Sequence, residues 1–273
     1  MPGKFRYKKR YGQNFLHNTS KLGQIASLIN PSPGDSIIEI GPGSGSLTKL
    51  LLEAGAFVTA VEIDPEAVAR LREKIGEPPN LKVITADFLG FDIRSAASGR
   101  RGKIKIAGNI PYYITTPIIE KAIESKNHVS AIYLTVQKEV GERMAAKEGS
   151  KTYSSLSIFC QYHADTELAL KIPRRAFFPV PDVDSAFVIM RFEKDEPVEV
   201  KSESLFFTLV RGGFNQRRKT LANGLRRLFK LTGEEAAGLL GSTGIDERAR
   251  PEDVSILQFA RLSDVLYNHL NKI

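Results

Sequence analysis

The sequence predicts an α/β protein in which a Rossmann-like parallel sheet is followed by a small all-α domain. From about residue 19 to 193, apolar runs typical of buried strands alternate with stretches of helical period, the pattern of a parallel sheet covered by helices. A charged, proline-containing segment, "EKDEPVEV", occupies 193–200, and residues 201–273 show only helical patterns. We therefore expect a basic N-terminal arm (1–18), a sheet domain (19–195) and a helical domain (196–273).

The elements of the sheet domain follow one another in regular order. The predicted strands are "SIIEI", "AFVTAVEI", "LKVIT", "KIKIAG", "SAIYLTVQ" and "VDSAFVIMRF". The predicted helices between them are "TSKLGQIASLIN", "SLTKLLLEA", "DPEAVARLREKIG" and "TTPIIEKAIES". In the third helix Asp64 suits the N-cap and Pro65 the first helical position, so we interpret Asp64 as a cap with no role in binding.

Composition limits the classes of protein to consider. The 273 residues carry a formal net charge of +8, which suggests a polyanionic partner. A single cysteine, Cys160, excludes an intrachain disulfide and favours a reducing compartment. The four histidines lack ligand spacing, so no metal site is predicted. No apolar run reaches the roughly 18–20 residues that span a bilayer, and no secretory signal follows the basic N-terminus. We expect a cytoplasmic monomer without membrane contact.

A glycine loop, "IIEIGPGSGSLT", joins the first predicted strand to the next helix. Glycines let the backbone turn sharply and approach a ligand at the helix start. The spacing of Gly41, Gly43 and Gly45 is G-x-G-x-G, with Ser46 where a dinucleotide fold places its third glycine. This spacing counts against NAD and favours S-adenosylmethionine, which has no pyrophosphate. The loop alone fits a structural turn equally well.

Acidic residues follow the next two predicted strands. Glu62 lies 21 residues after Gly41, where a carboxylate can accept both ribose hydroxyls of an adenosine ligand. Asp87, after the third strand, can accept a hydrogen bond from the adenine amino group. Singly, such carboxylates are more often only solvated, but three consecutive strands with suitable groups favour a cofactor. The predicted cofactor site also includes the adjacent Ile63 and Phe88.

The fourth predicted strand leads into "NIPYY". Ligands in open α/β folds bind at the carboxyl ends of the strands, so Asn109 should face the cofactor. The Asn109 side-chain oxygen and the Ile110 carbonyl can accept the hydrogens of an adenine amine, which would direct its lone pair at a methyl group. Pro111 fixes this backbone, and Tyr112 offers a face for stacking. The alternative is a turn with a buried tyrosine, and we assign Tyr113 to packing.

A set of motifs in order resembles the ribosomal RNA adenine N6,N6-dimethyltransferases. The motifs are "GQNFL", "EIGPGSG", "VEID", "GNIPYYITTPI", "QKEV", "AFFPVPDVDSA" and "FNQRRKTL". The resemblance implies methylation of two adjacent adenosines near the 3′ end of small-subunit rRNA, with S-adenosylmethionine as donor and an RNA-binding helical domain. It implies cofactor contacts at Asn14, Leu16, Gly41, Glu62, Asp87 and Asn109. The family often has Leu where this chain has Ile110, whose backbone alone is needed.

The segment "FFPVPDVDS" fits the pattern F-x-P-x-P-x-V-x-S of such enzymes. The resemblance implies that Phe177 closes on the target base from the face opposite Tyr112. A base must leave its stack to be methylated, so an aromatic clamp is expected. Without the resemblance, a core phenylalanine beside a proline turn is the better interpretation.

Basic residues cluster in three places that phosphate contacts would explain, although a solvated face is the alternative for each. The predicted RNA-binding residues are Lys8, Lys9, Arg10, Arg174, Arg175, Arg217, Arg218, Lys219, Arg226 and Arg227. The stretch "QRRKTLANGLRRLFK" also predicts an amphipathic helix with Leu221, Leu225 and Leu228 inward.

Several functions compete. The first is dimethylation of small-subunit rRNA, in a partly assembled 30S particle, as a contribution to ribosome biogenesis. The second is the large-subunit methyltransferase type that confers macrolide resistance, which "FNQRRKTL" and the helical domain disfavour. A non-catalytic RNA-binding factor is a third, and an intact "NIPY" motif argues against it. The glycine spacing disfavours an NAD oxidoreductase.

Overall fold

The computed structural model describes residues 14–96, 102–195, 197–215 and 219–271. The chain divides into two compact units. The first comprises the described residues up to Gly141 together with Asp165–Glu193, and the second comprises Glu142–Ala164 with the described residues from Lys194 onward. The sequence assigned 142–164 to the sheet domain. In the structure this segment belongs to the helical unit, because Tyr153 and Ile158 are buried in its core.

A seven-stranded sheet lies at the centre of the first unit. Its strands are β2 (Ser36–Ile40), β3 (Phe57–Glu62), β4 (Leu81–Thr85), β5 (Ile104–Asn109), β6 (Val129–Gln137), β7 (Asp165–Ile172) and β9 (Ser185–Arg191). They lie side by side in the order β4-β3-β2-β5-β6-β9-β7. The pairs from β4 to β6 are parallel. The Rossmann-like α/β class predicted from the sequence is confirmed.

Two features of this sheet differ from the prediction. Strand β9 runs antiparallel to both β6 and β7, so the sheet is mixed. Strand β7, "DTELALKI", was missed. It is an edge strand in which only the last residue, Ile172, is buried, so its sequence lacks the apolar run that marks a buried strand.

A small second sheet lies in the same unit. Strand β1 (Phe15–Leu16) pairs antiparallel with β8 (Phe177–Phe178), with Phe15 opposite Phe178 and Leu16 opposite Phe177. Leu16 and Phe177 are both buried in the core of this unit. The pair therefore joins the start of the described chain to the segment that carries the predicted base clamp.

Five helices in the described first part of the chain flank the strands. They are α1 (Thr19–Ile29), α2 (Ser46–Glu53), α3 (Pro65–Ile75), α4 (Thr115–Glu124) and α5 (Lys138–Met144), the last of which leads into the second unit. The first four were predicted from the sequence, and the fifth was not. The buried Asp64 accepts a hydrogen bond from the Glu66 N–H at 3.1 Å, which confirms the predicted cap of α3.

In its described residues the second unit contains helices joined by turns and loops, and no strand. It contains α6 (Ser155–His163), α7 (Glu203–Phe214), α8 (Leu221–Phe229), α9 (Gly233–Ser242) and α10 (Ile256–Leu270). Helix α8 begins at Leu221, so it is shorter than the predicted amphipathic stretch. Leu221 and Leu225 are buried and Leu228 is half-buried, as the pattern predicted. No helix in the described parts of the chain combines the length and apolarity that crossing a membrane requires.

Candidate active site

The carboxyl ends of β2, β3, β4 and β5 meet at one edge of the sheet and form a cleft. The cleft offers about 180 Å³ to groups the size of a water molecule and is open to solvent on one side. Its lining includes the predicted cofactor residues Asn14, Gly41, Glu62, Ile63, Asp87, Phe88 and Asn109. Residues that are far apart in sequence therefore converge as the strand order requires.

The three glycines of the loop have two different roles. One lines the cleft, and the other two leave room for neighbouring side chains. Gly41, Gly43 and Gly45 all have positive φ, which glycine adopts without steric cost. Only Gly41 lines the cleft. A side chain on Gly43 would collide with the Phe15 ring, and one on Gly45 would meet Leu71. Gly43 and Gly45 are thus explained by packing, and their predicted cofactor contact remains a prediction.

Glu62 is held in place by backbone N–H groups. This last residue of β3 is 6% exposed, and burial raises the pKa of its carboxyl. Its Oε1 accepts from the Asp64 N–H at 3.0 Å, and its Oε2 accepts from the Gly43 N–H at 3.4 Å. These bonds orient the carboxylate beside the glycine loop, where it can also accept the hydroxyls of a ribose.

Asp87 caps a short turn at the end of β4. Its Oδ1 accepts from the Leu89 N–H at 2.9 Å, at the start of the 3₁₀ helix Phe88–Gly90. Oδ2 is therefore the oxygen with capacity for an adenine amino group. Lys121 of α4 supports the same turn, because its Nζ donates to the Leu89 carbonyl at 2.8 Å and lies 5.7 Å from the centre of the Phe88 ring.

Asn109 ends β5 with an oriented amide. Its Nδ2 donates to the Asn14 carbonyl at 2.6 Å, so the Oδ1 is the group left to accept a hydrogen from a ligand. Pro111 lines the cleft and the Ile110 side chain is buried. The sequence predicted the role of the amide but not the partner that orients it.

Tyr112 connects the "NIPY" motif to the proline-rich segment. Its hydroxyl and the Ser185 hydroxyl share a hydrogen bond at 2.8 Å, and Ser185 is fully buried at the start of β9. Burial raises the pKa of the Tyr112 phenol, and the bond to Ser185 opposes that shift. The hydroxyl thus fixes the ring edge, and the stacking of a base on the Tyr112 ring stays a prediction.

Phe177 occupies a core position. Its side chain is 1% exposed and packs with Leu16 and Ile172, as the sequence without the resemblance indicated. A role as base clamp stays a prediction, and it requires the ring to leave this packing. The next residue along β8, Phe178, is 54% exposed, because successive side chains of a strand point to opposite faces.

Two residues near the cleft were not assigned to the site from the sequence. Tyr113, assigned to packing, is 67% exposed and lines the cleft. Glu39, to which the sequence gave no role, is 2% exposed, and burial raises its pKa to about 7. It lines a smaller adjacent cavity together with Leu16, Gly41 and Asn109. The signal for Glu39 was a lone acid in the otherwise apolar strand "SIIEI".

The predicted RNA-binding residues are distributed over both units. Arg174 and Arg175 are exposed in the first unit, and the Arg174 N–H donates to Asp184 at 2.9 Å. Lys219, Arg226 and Arg227 are exposed in the second unit. Lys8, Lys9, Arg10, Arg217 and Arg218 lie outside the described residues.

A comparison with known proteins decides the family. The model of the family described as "Ribosomal RNA adenine dimethylase" matches residues 4–268. The chain belongs to the ribosomal RNA adenine dimethylase family. A relative named "Ribosomal RNA small subunit methyltransferase A" from Clostridioides difficile is 39% identical over 96% of this chain and 91% of its own length. One of the same name from Fusobacterium nucleatum is 41% identical over 94% and 97%.

Two solved structures share this fold. The 23S rRNA methyltransferase ErmE has a TM-score of 0.73 at 27% identity, covering 93% of this chain and 100% of its own. A dimethyladenosine transferase from Plasmodium falciparum has a TM-score of 0.76 at 23% identity, covering 94% and 98%. The expectation of a methyltransferase fold is therefore confirmed.

The protein is accordingly a methyltransferase, and its methyl donor is S-adenosylmethionine. The cleft fits this donor. Glu62 presents a carboxylate oriented by two N–H groups, as a ribose requires. Asp87 has one carboxylate oxygen that can accept from an amino group, and the apolar side chains of Ile63 and Phe88 line the same cleft. Gly41 of the glycine loop lines the same cleft.

Proposed function

We propose that the protein dimethylates N6 of two adjacent adenosines near the 3′ end of small-subunit rRNA. The observation that carries the proposal is the orientation of Asn109, whose Nδ2 is committed to the Asn14 carbonyl. Its Oδ1 is thereby turned to an acceptor role, which suits the amino group of adenine. The relatives at 39% and 41% identity are named as small-subunit enzymes, which supports this substrate over large-subunit RNA.

The chemistry requires a better nucleophile than free adenine offers. The N6 lone pair is delocalised into the ring, so the amine must be drawn toward a tetrahedral geometry. Asn109 Oδ1 and the Ile110 carbonyl accept the amine hydrogens, and the lone pair then points at the methyl carbon. When bound, S-adenosylmethionine supplies an electrophilic methyl group on a sulfonium.

Each methyl transfer can proceed without a strong base. The N6–methyl bond forms as the sulfur–methyl bond breaks, and the electron pair of the broken bond stays on sulfur. The nitrogen then carries a positive charge and releases its proton readily to water. A second transfer to the same nitrogen needs one acceptor fewer, so Asn109 and Ile110 can serve both steps.

We further propose that the target base stacks on Tyr112 and that basic side chains hold the flanking RNA. Candidates in the described residues are the exposed Arg174, Arg175, Lys219, Arg226 and Arg227. Neutralising Arg226 and Arg227 should weaken RNA binding. It should also flatten the dependence on salt, by a slope of about 0.7–0.9 for each phosphate that these side chains neutralise. An unchanged slope would place the RNA contact elsewhere.

The substrate we propose is a partly assembled 30S particle, and the active species we propose is a monomer. Bacterial ribosomes are assembled in the cytoplasm, where we place the reaction. The test is incubation with labelled S-adenosylmethionine and small subunits lacking the modification, with large-subunit RNA in parallel. We expect mass spectrometry to find dimethyladenosine at adjacent positions of the small-subunit RNA. Label in the large-subunit RNA alone would instead assign the resistance-type activity.

A further inference from the structure

Tyr113 is an aromatic residue whose side chain is exposed at the wall of the ligand cleft. Its side chain is 67% exposed, so its ring lacks most of the apolar contacts that usually stabilise a tyrosine. It nevertheless lines the same cleft as Glu62 and Asp87. A large ring kept open at the wall of a ligand cleft is suited to contact the ligand.

The position of α4 places Tyr113 at the purine end of the cleft. Tyr113 and Ile114 lie immediately before α4 and both line the cleft. The helix is attached to the Asp87 turn, because the Lys121 Nζ donates to the Leu89 carbonyl at 2.8 Å. This bond holds the last turn of α4, and the residues before the helix line the same cleft as Asp87, the residue suited to the adenine amine. We therefore place Tyr113 at the adenine end.

We propose that Tyr113 is a cofactor-binding residue whose ring covers the adenine of S-adenosylmethionine. The purine is flat and polarisable, and aromatic rings bind such groups by offset stacking or by edge contact. Ile63, 45% exposed, and Phe88 supply apolar contacts in the same cleft. Tyr113 would add the outer cover that separates the adenine from water. This inference rests on the donor orientation assumed in the proposed function.

Equilibrium binding can locate the contact on the donor. Affinities for S-adenosylmethionine and for 5′-methylthioadenosine, which lacks the amino-acid end, would be measured by calorimetry. We expect Tyr113→Ala to weaken both by about tenfold, and Tyr113→Phe to stay within about twofold of the unchanged protein. Tyr267→Ala, which removes an exposed tyrosine of the helical unit, is the matched control and should change neither. Thermal melting would verify that each variant is folded.

Two results would overturn the assignment. Unchanged donor affinity in Tyr113→Ala together with weaker RNA binding would make Tyr113 an RNA-stacking residue. Weaker binding of S-adenosylmethionine with unchanged binding of 5′-methylthioadenosine would move the contact to the amino-acid end. Failure of the proposed function is separable, because it would appear as absent methyl transfer to small-subunit RNA by the unchanged protein, whatever the binding data show.

Discussion

The side-chain amide of Asn109 donates to the backbone carbonyl of Asn14, with 2.6 Å between Nδ2 and the oxygen. This bond joins the residue before β1 to the end of β5, 95 positions later. The bond commits the amide nitrogen Nδ2 to the fold and leaves the amide oxygen Oδ1 to accept a hydrogen bond from a ligand. The orientation of the Asn109 side chain thus depends on a backbone carbonyl, and the residue type at position 14 does not reveal this contact.

The first prediction separates these two atoms. Asn109→Ala should retain part of the S-adenosylmethionine affinity but lower kcat on the order of 100-fold or more, the scale for removing one aligned hydrogen-bonding group. Asn109→Asp should also be poorly active, because a carboxylate oxygen would face the Asn14 carbonyl without a hydrogen to donate. Single-turnover methylation and donor binding measure both. Near-normal turnover of Asn109→Ala would refute the role of the amide.

The second prediction concerns the hydrogen bond between Tyr112 and Ser185. Tyr112→Phe keeps the ring and should retain most methylation, whereas Tyr112→Ala should lose it with the stacking face. Ser185→Ala should lower the free energy of unfolding by about 1 kcal/mol, and this effect should largely vanish when Tyr112 is already Phe. Denaturation of the four variants of this cycle measures the coupling. Additive effects would mean that the bond at 2.8 Å does not stabilise the fold.

The third prediction concerns Lys121, which supports the Asp87 turn at the end of the cleft proposed to hold adenine. Lys121→Met removes the donor to the Leu89 carbonyl and the charge near the Phe88 ring, so the Asp87 turn should loosen. We expect S-adenosylmethionine to bind roughly five- to tenfold more weakly, as the removal of a charge-assisted hydrogen bond implies. Lys126→Met makes the same change of charge at an exposed neighbouring position and should bind normally. Equal weakening in both would indicate a general charge effect.

The fourth prediction is a pH dependence of stability due to Glu39. In the folded chain burial, with a smaller contribution from Glu62, raises its pKa from the usual 4.5 to about 7. Between these values the unfolded chain binds fewer protons at this group. Its contribution to the free energy of unfolding therefore falls as pH rises from about 4.5, and the decrease is complete above about 7. The full decrease is about 3 kcal/mol.

Glu39→Gln should remove this dependence, because the amide stays neutral. The free energy of unfolding of the variant, minus that of the unchanged protein, should rise from about pH 4.5 to about pH 7 and then level off. Urea denaturation at several pH values measures the difference. Glu53→Gln, at an exposed site in α2, is the control and should show a constant difference. A constant difference for Glu39→Gln as well would show that Glu39 titrates normally.

Local sequence determined the elements that carry the chemistry. Apolar runs marked the buried strands, and the cap at Asp64 was confirmed by its bond to the Glu66 N–H. The strand ends then followed from the parallel order, which is why Gly41, Glu62, Asp87 and Asn109 were predicted at one edge and line one cleft. These features depend on short stretches of chain, whose periodicity and turn chemistry are readable without knowing the fold.

Only the tertiary structure decided which side chains are open and what orients them. Phe177 and Phe178 are identical neighbours in sequence, yet the pairing of β8 with Leu16 and Phe15 buries the first and exposes the second. Tyr113 is open, although the sequence assigned it to packing. The sequence likewise did not reveal the Asn14–Asn109 hydrogen bond, the edge strand β7 or the assignment of residues 142–164 to the second unit. Each depends on contacts between distant parts of the chain, and burial and register are properties of those contacts rather than of local sequence.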